Sequence, residues 1–254
     1  MKLRATTTIG ARPRTIMRYA IRCLLDAVFP ADCEACARAL PTGHDGPLCV
    51  ACRRTMVAPP EPLCERCGAP RPAPGACPAC RRHPPAFATA RAAALYLPTG
   101  TGLNPLAAAV QAFKYRRRRT LAAALGALLA ERYPFAPDAV LVPVPLHLAR
   151  LRARGFNQAV LLARVLARRR GLHVDSRVLV RARATEAQAG LAAAERRRNL
   201  RAAFAIRRGA TVPRRPIVLV DDVLTTGATA DACARLLRAA GAPRVDVYTL
   251  GRAP

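Results

Sequence analysis

The sequence has no apolar run near the roughly 18 residues that a membrane-spanning helix needs, so it predicts no transmembrane segment. Acidic residues are few, since 15 Asp and Glu stand against 42 Lys and Arg, for a net charge of +27. This excess favours anionic partners such as nucleic acid, phosphorylated small molecules or anionic lipid. All the basic residues except Lys2 and Lys114 are arginine. Codon bias alone produces such a composition, so the charge is a modest indication of a partner.

The start of the chain also lacks an apolar core followed by a small-residue cleavage site, which argues against a secretory signal. Residues 1–30 are rich in arginine and poor in acid, a pattern that transit peptides share with amphipathic docking helices. We interpret these residues as a leader and docking helix placed before the first domain. The protein is accordingly predicted to be cytoplasmic, in a reducing compartment where cysteines stay unpaired.

Eight of the ten cysteines form four C-x-x-C pairs. This spacing places two thiolates on one tight turn, and two such turns complete a tetrahedral shell of four sulfurs around zinc. The four pairs therefore predict two zinc ions. The predicted ligands are Cys33, Cys36, Cys49, Cys52, Cys64, Cys67, Cys77 and Cys80.

The segment 31–84, which holds these pairs, is rich in proline and glycine and has few large apolar residues. It cannot build a proper hydrophobic core, so metal binding is expected to supply its folding free energy. A disulfide scaffold and an iron–sulfur site are the alternatives, and the spacing leaves open whether consecutive or interleaved pairs share a metal. We expect His44 and His83 to be bystanders, and Cys23 and Cys233 to serve as small apolar residues.

Residues 86–254 alternate strand-like and helix-like segments. The runs at 139–144 and 217–221 are continuously apolar, as buried parallel strands are, and helical patterns occupy 157–169 and 228–241. Strands that alternate with helices predict βαβ units. The predicted class is therefore α/β, with a parallel sheet flanked by helices and a small cysteine-rich zinc-binding domain before it.

The stretch IVLVDDVLTTGAT at 217–229 places two carboxylates, Asp221 and Asp222, at the end of its predicted strand, where open α/β sheets bind ligands. Thr225 or Thr226 is predicted to cap the next helix, so that the turn directs backbone N–H groups and the positive helix end at one spot. A phosphate suits that spot, and the carboxylates suit the diol of a ribose. An ordinary strand–turn–helix with solvated aspartates is the alternative.

Within this stretch, VDDVLTTGAT resembles the 5-phosphoribosyl-1-pyrophosphate (PRPP) motif of the type I phosphoribosyltransferases. Two further stretches narrow the match, VPVPLHLARLRARGFNQA at 142–159 and RARATEAQAGLAAAERRRNLRAAF at 181–204. Together with the cysteine-rich segment and FKYRRRR at 113–119, they resemble the ComF family of competence and DNA-utilisation proteins along almost the whole chain.

The resemblance implies a type I phosphoribosyltransferase-like sheet and a PRPP-dependent glycosyltransferase whose acceptor it leaves open. Asp221 and Asp222 would be the catalytic acids, and Mg²⁺ would bridge the pyrophosphate and the ribose hydroxyls of PRPP. The residues expected at the phosphate and pyrophosphate are Thr225, Thr226, Gly227, Ala228, Thr229, Arg150 and Arg154. For the arginines, a solvated basic turn is an equally good interpretation.

Related transferases close a mobile loop over PRPP, and the resemblance places that loop within 181–204. An exposed helix rich in alanine and arginine is the alternative. The polar side chains expected in the loop are Thr185, Gln188, Arg196, Arg198 and Asn199.

A second function is a non-catalytic protein that handles single-stranded DNA on the same fold and cooperates with competence or DNA-uptake proteins. The basic run at 113–119 favours it, because arginines follow a phosphate backbone and an aromatic ring stacks a base. A solvated helix end is the alternative. The candidate DNA-binding residues are Lys114, Tyr115, Arg116 and Arg118.

Overall fold

A computed structural model of the chain describes residues 31–97, 104–182 and 202–253. The predicted leader and docking helix at 1–30, together with Cys23, lies outside these ranges. The predicted loop residues also lie outside them, namely Thr185, Gln188, Arg196, Arg198 and Asn199.

The described chain begins with two short helices and continues as alternating strands and helices. The helices are α1 (Val50–Arg54), α2 (Pro78–Arg82), α3 (Pro105–Tyr115), α4 (Leu121–Glu131), α5 (Leu148–Arg154), α6 (Gln158–Arg170) and α7 (Ala228–Ala239). The strands are β1 (Ala90–Leu95), β2 (Val140–Pro143), β3 (His173–Val174), β4 (Leu179–Arg181), β5 (Phe204–Ile206), β6 (Ile217–Leu224) and β7 (Val245–Arg252).

Five strands form one sheet in the order β1-β7-β6-β2-β3, and every neighbouring pair is parallel. Strands β4 and β5 form a separate antiparallel pair. The prediction of an α/β fold with a parallel sheet and flanking helices is confirmed. Strand β6 is at the centre of the sheet, with β7 on one side and β2 on the other.

Each face of the sheet packs on its own hydrophobic core, because successive side chains of a strand point to opposite faces. Val218 and Val220 of β6 join the core that includes residues of α3, α4 and α6. Ile217 and Leu219 join the opposite core, which includes α7 and the β4–β5 pair. Burial on both faces explains why β6 is apolar at consecutive positions as far as its first carboxylate.

Local sequence signals set the ends of the long helices. Asn157 caps α6 by accepting a hydrogen bond from the N–H of Ala159 at 2.9 Å, and the helix ends at Gly171 in the left-handed conformation. Asn104 caps α3 in the same way through the N–H of Ala107. Among the described residues, none of the helices has both the length and the apolar character needed to cross a bilayer.

The cysteine-rich segment packs directly against the sheet. Arg132, which follows α4, donates to the carbonyl of Met56 at 2.7 Å and to that of Ala93 in β1 at 2.6 Å. The N–H of Ala90 donates to the carbonyl of Arg66 at 2.6 Å. Gly68 approaches β1 so closely that a Cβ there would lie 2.4 Å from the Ala90 carbonyl oxygen, so this contact excludes any larger residue.

Candidate functional site

The eight paired cysteines form two clusters, each made from consecutive C-x-x-C pairs. In each cluster the four Sγ atoms lie within 4.8 Å of one another. The pairs Cys36–Cys49 and Cys67–Cys77 have Sγ–Sγ distances of 3.8 Å. That distance matches the edge of a sulfur tetrahedron around a metal with Zn–S bonds of about 2.3 Å. The cysteines therefore fit two Cys₄ zinc sites. The first ribbon is defined by Cys33, Cys36, Cys49 and Cys52, and the second ribbon by Cys64, Cys67, Cys77 and Cys80.

Backbone N–H groups stabilise one thiolate in each cluster. Burial alone opposes ionisation of Cys33, but hydrogen bonds from backbone N–H groups, with that of Cys49 the largest, lower the pKa of its thiol to about 6. Burial opposes ionisation of Cys64 in the same way, and N–H groups that include those of Cys67 and Cys77 lower its pKa to about 6. These hydrogen bonds favour the thiolate form, the form in which cysteine binds zinc, at one ligand of each cluster.

The predicted bystanders lie apart from the two clusters. His44 is hydrogen-bonded through Nε2 to the Leu48 carbonyl at 2.9 Å, and neither it nor His83 belongs to a cluster. Cys233 is fully buried in α7, among the apolar residues of the second core.

The predicted phosphate-binding turn lies between β6 and α7, at the carboxyl end of the central strand. The strand continues to Leu224, so the two acids lie within its final residues and not at its very end. The helix is capped by Gly227, whose φ of +77° favours glycine, and not by a threonine as we expected. Thr226 accepts a hydrogen bond from the N–H of Ala228 at 3.4 Å, at the first residue of the helix. Because the strand extends to Leu224 and Gly227 adopts the left-handed conformation, the helix cap lies at Gly227 and not at Thr225 or Thr226.

The two carboxylates lie on different faces of the strand. Asp222 follows the alternation of Val218 and Val220 toward the α3 side, where its Oδ1 forms an ion pair of 2.7 Å with Lys114 Nζ. Their side chains are 12% and 19% exposed, so the pair is largely withdrawn from water. Lys114, which we expected among the DNA-binding residues, thus contacts a predicted catalytic acid.

Asp221 lies in an environment that opposes its ionisation. Burial raises the pKa of its carboxyl, the neighbouring Asp222 raises it further, and the result is about 7. The N–H of Asp222 donates to Asp221 Oδ1 at 2.8 Å, and the charges of Lys114 and Arg181 partly offset the rise. Carboxyl groups with a raised pKa occur at functional sites and also in structural charge networks such as the one formed here with Asp222 and Lys114.

Arginines on two other elements act on this site. Burial lowers the pKa of Arg181 in β4, the charge of Arg150 acts in the same direction, and Asp221 opposes it. Arg181 is therefore within electrostatic reach of both Arg150 and Asp221, and the predicted role of Arg150 at the pyrophosphate stays a prediction. Arg154, the other predicted pyrophosphate residue, donates to Gln158 Oε1 at 3.2 Å and lies over the ring of Tyr115.

The basic run at 113–119 covers the end of α3 and the residues after it, and its side chains have different environments. Arg118 forms an ion pair of 3.2 Å with Glu34, which lies inside the first C-x-x-C pair. Tyr115 is 66% exposed, with the Arg154 guanidinium 5.2 Å from its ring centroid, and Arg116 is exposed beside it. The run therefore joins α5 in one exposed surface, which we call the Tyr115 surface and define by Tyr115, Arg116 and Arg154.

Some contacts at the site were not anticipated from the sequence. Arg181, Phe87 and Arg252 all come close to the acids or the turn, and their positions depend on long-range folding that no local pattern reports. Lys114 is distinctive in the sequence, because it is one of only two lysines in a chain with 42 basic residues. Nothing local marked it as a partner of Asp222.

A family model for a double zinc ribbon domain matches residues 24–81, which contain all eight clustered cysteines. The two Cys₄ sites and the parallel sheet thus define a class of protein in which a double zinc ribbon precedes an α/β domain. The predicted zinc-binding module is confirmed at this level.

Two curated proteins can be aligned with this chain over more than half of its length. The DNA utilization protein YhgH of Salmonella typhimurium is 37% identical over 232 residues, which cover 88% of this chain and 97% of that protein. Competence protein F of Haemophilus influenzae is 36% identical over 163 residues, which cover 61% of this chain and 71% of that protein. The chain belongs to the ComF family of competence and DNA utilization proteins, as its motifs predicted.

Among solved structures, a glutamine PRPP amidotransferase from B. subtilis, complexed with ADP and GMP, is 22% identical with a TM-score of 0.37. The similarity covers 54% of this chain and 30% of the amidotransferase chain, so it spans less than a third of that enzyme.

The two clusters predict two zinc ions per chain, because eight thiolates complete two tetrahedral shells. Cys64→Ala should reduce the content to about one ion, while Cys233→Ala, which removes a buried thiol outside both clusters, should retain two. Elemental analysis of purified protein measures the ratio. Retention of two ions by the Cys64 variant would contradict the assignment of ligands.

The raised pKa of Asp221 predicts how stability changes with pH. The folded protein holds this proton more tightly than the unfolded chain, so stability is lost as the pH rises from the ordinary value of 3.8 through about 7. Asp221→Asn removes the ionisation. In buffers without PRPP or magnesium, its melting temperature should exceed that of the wild type by an amount that grows from pH 5.5 to about 7 and then levels off. A difference that does not vary over this range would show that Asp221 ionises normally.

Proposed function

We propose that this protein binds PRPP with Mg²⁺ at the carboxyl end of β6 and acts as a phosphoribosyltransferase in DNA uptake or DNA utilisation. The observation that carries the proposal is the arrangement of the PRPP-like motif, with its acids near the end of the central strand and its turn at the start of α7. Membership in the ComF family supports the link to DNA.

The turn at 225–229 suits the 5-phosphate of PRPP. The first N–H groups of a helix have no partners within it, and they carry the positive end of the helix dipole. Gly227 contributes no side chain, and Thr225 and Thr226 are exposed with hydroxyl donors beside those N–H groups. A dianionic phosphate would replace the water that otherwise solvates them.

The acids suit the ribose and the charged groups around it. Asp221 is half-buried and able to accept hydrogen bonds from the ribose hydroxyls, while Lys114 neutralises Asp222. Arg150 and Arg181 add positive charge near the position where pyrophosphate would leave. Arg154 is held by Tyr115 and Gln158, so a role at the pyrophosphate would require its side chain to leave these two contacts.

The donor set also fits Mg²⁺, which prefers oxygen ligands and keeps several waters. Each acid has one oxygen engaged, Asp222 by Lys114 and Asp221 by the N–H of Asp222, so each offers its other oxygen for a water-mediated contact. When bound with PRPP, the ion supplies positive charge to the pyrophosphate leaving group. The chain's own contribution is to orient the ribose and to bind the two phosphate ends.

We also propose that the protein is cytoplasmic. Its clustered cysteines are unpaired, as zinc ligands are in a reducing compartment. Single-stranded DNA and competence or DNA-uptake proteins are the partners that this role would require.

A second candidate function is the handling of single-stranded DNA without transfer chemistry. The Tyr115 surface favours it, because a well-exposed ring is stacked by an arginine and flanked by another. Arg117 donates to the carbonyl of Ala153 at 2.7 Å, which fixes the basic run against α5. Leu148, at the start of α5, adds an exposed apolar side chain that bases can contact.

Replacement of both acids tests PRPP binding. Asp221→Asn with Asp222→Asn should weaken PRPP binding in the presence of Mg²⁺ by roughly a hundredfold or more, since each charge-assisted hydrogen bond that is removed costs about 1.5–3 kcal/mol. Titration calorimetry measures the dissociation constant. Glu131→Gln with Asp138→Asn makes the same change in net charge at exposed positions and should bind as the wild type does. Equal dissociation constants for the wild type and the Asp221/Asp222 variant would overturn the assignment.

The Tyr115 surface generates a separate prediction about DNA. Tyr115→Ala with Arg116→Glu should weaken binding of single-stranded DNA and reduce the log–log salt slope by about 0.7 for each phosphate group that the variant no longer neutralises. Arg169→Glu reverses one charge on α6, away from this surface, and serves as the matched control in fluorescence titrations at several salt concentrations. If the control loses as much affinity and slope, the DNA interaction is nonspecific charge attraction.

A further inference from the structure

Arg252, at the end of β7, connects the second ribbon to the phosphate-binding turn. Its side chain is almost completely buried, since the residue is only 7% exposed. Nε donates to the carbonyl of Cys67 at 3.1 Å, and Nη2 contacts the Cys67 Sγ at 3.8 Å. Nη1 donates to the carbonyls of Leu224 at 3.1 Å and Thr225 at 2.9 Å, and also to that of Ala253. One guanidinium thus joins a zinc ligand to the residues where β6 becomes the turn.

A second contact joins the same two parts of the molecule. Between the second ribbon and β1, the ring of Phe87 packs beneath the turn, 3.8 Å from the position of a Cβ on Gly227. The N–H of Ala86 donates to Asp231 Oδ1 in the first turn of α7 at 2.7 Å. Ala86 and Phe87, which follow the second ribbon in the chain, therefore contact the turn and the first turn of α7.

From these contacts we infer that Arg252 is a positioning residue, through which the metal-bound second ribbon holds the phosphate-binding turn in its binding conformation. The inference deepens the proposed function and depends on it for the identity of the ligand, PRPP. It adds that removal of metal from the second ribbon, and not from the first, weakens binding at the turn.

The guanidinium is suited to this role because its five N–H donors lie in a fixed plane. It bonds carbonyls of two separate segments at once, so the position of Cys67 determines where Leu224 and Thr225 can lie. A lysine keeps the charge but offers a single flexible ammonium, which cannot hold the same carbonyls and the sulfur together. Arg252→Lys therefore separates the geometry from the charge.

Arg132 provides a matched control. It also donates to two backbone carbonyls, those of Met56 and Ala93, and it fastens the cysteine-rich segment to the sheet away from the turn. A purely structural role for such arginines predicts similar consequences for Arg132→Lys and Arg252→Lys. A positioning role predicts that only the Arg252 variant changes the turn.

The first measurement needs no ligand. Hydrogen exchange of the peptide that covers 222–230 should be faster in zinc-loaded Arg252→Lys than in the wild type, and unchanged in Arg132→Lys. In wild-type protein treated with a zinc-selective chelator, protection of this peptide should fall as the second ribbon's cysteines become reactive to N-ethylmaleimide, and should not follow the first ribbon's. That treatment tests the inference even if Arg252→Lys does not fold.

The second measurement uses PRPP with Mg²⁺. Coupling between two sites is reciprocal in binding free energy, so PRPP should tighten metal binding by the second ribbon. With a chelator that exchanges metal in rapid equilibrium, saturating PRPP should then slow labelling of the second ribbon by about fivefold or more and leave the first ribbon unaffected. Arg252→Lys should bind PRPP about tenfold more weakly and lose this protection, while Arg132→Lys should bind within about twofold of the wild type.

These measurements test the identity of the ligand and the role of Arg252 separately. If the wild type does not bind PRPP, the proposed ligand is wrong, and exchange in the ligand-free protein still decides the role of Arg252. The inference is overturned if hydrogen exchange at 222–230 in the wild type accelerates with loss of metal from the first ribbon. It is overturned equally if exchange does not change when either ribbon loses its metal. It is also overturned if PRPP binds the wild type and fails to slow labelling of the second ribbon.

Discussion

The parallel pairing of β6 between β7 and β2 is the constraint on which the rest of the structure depends. A strand buried on both faces can carry polar groups only toward its end, and the alternation of side chains then sends Asp221 and Asp222 to different sides. One acid meets Lys114 from α3, and the other faces the Arg181 side. Helix α7 begins at Ala228, so only Thr225, Thr226 and Gly227 separate the end of the strand from the start of the helix.

The metal sites belong to the same framework. Because the cysteine-rich segment has little apolar material, four thiolates and a metal must fix each ribbon, and the ribbons can then serve as rigid supports. The second ribbon contacts the first residue of β1 through Gly68 and the last residue of β7 through Arg252, so it contacts both ends of this strand pair. Arg252 thus connects the second ribbon to the residues where β6 becomes the turn.

Patterns that are local in the sequence predicted the α/β class and the two sets of cysteines. C-x-x-C spacing fixes ligand geometry within a few residues, and continuous apolar runs mark strands such as β6 wherever they pair. The cap at Gly227 was missed because the end of β6 depends on pairing with β7, which reaches Leu224. The charge run at 113–119 does not indicate in which direction each side chain points, so the ion pair of Lys114 with Asp222 could not be predicted from it.

The proposed function depends on PRPP binding by the motif at 220–229, which spans the end of β6, the turn and the start of α7. A crystal structure of the zinc-loaded protein grown with PRPP and Mg²⁺ tests it most directly. The account predicts the 5-phosphate on the N–H groups of 225–229, the ribose hydroxyls facing Asp221 and Asp222, and pyrophosphate toward Arg150 and Arg181. PRPP bound elsewhere, or bound with its phosphate away from this turn, would contradict the account.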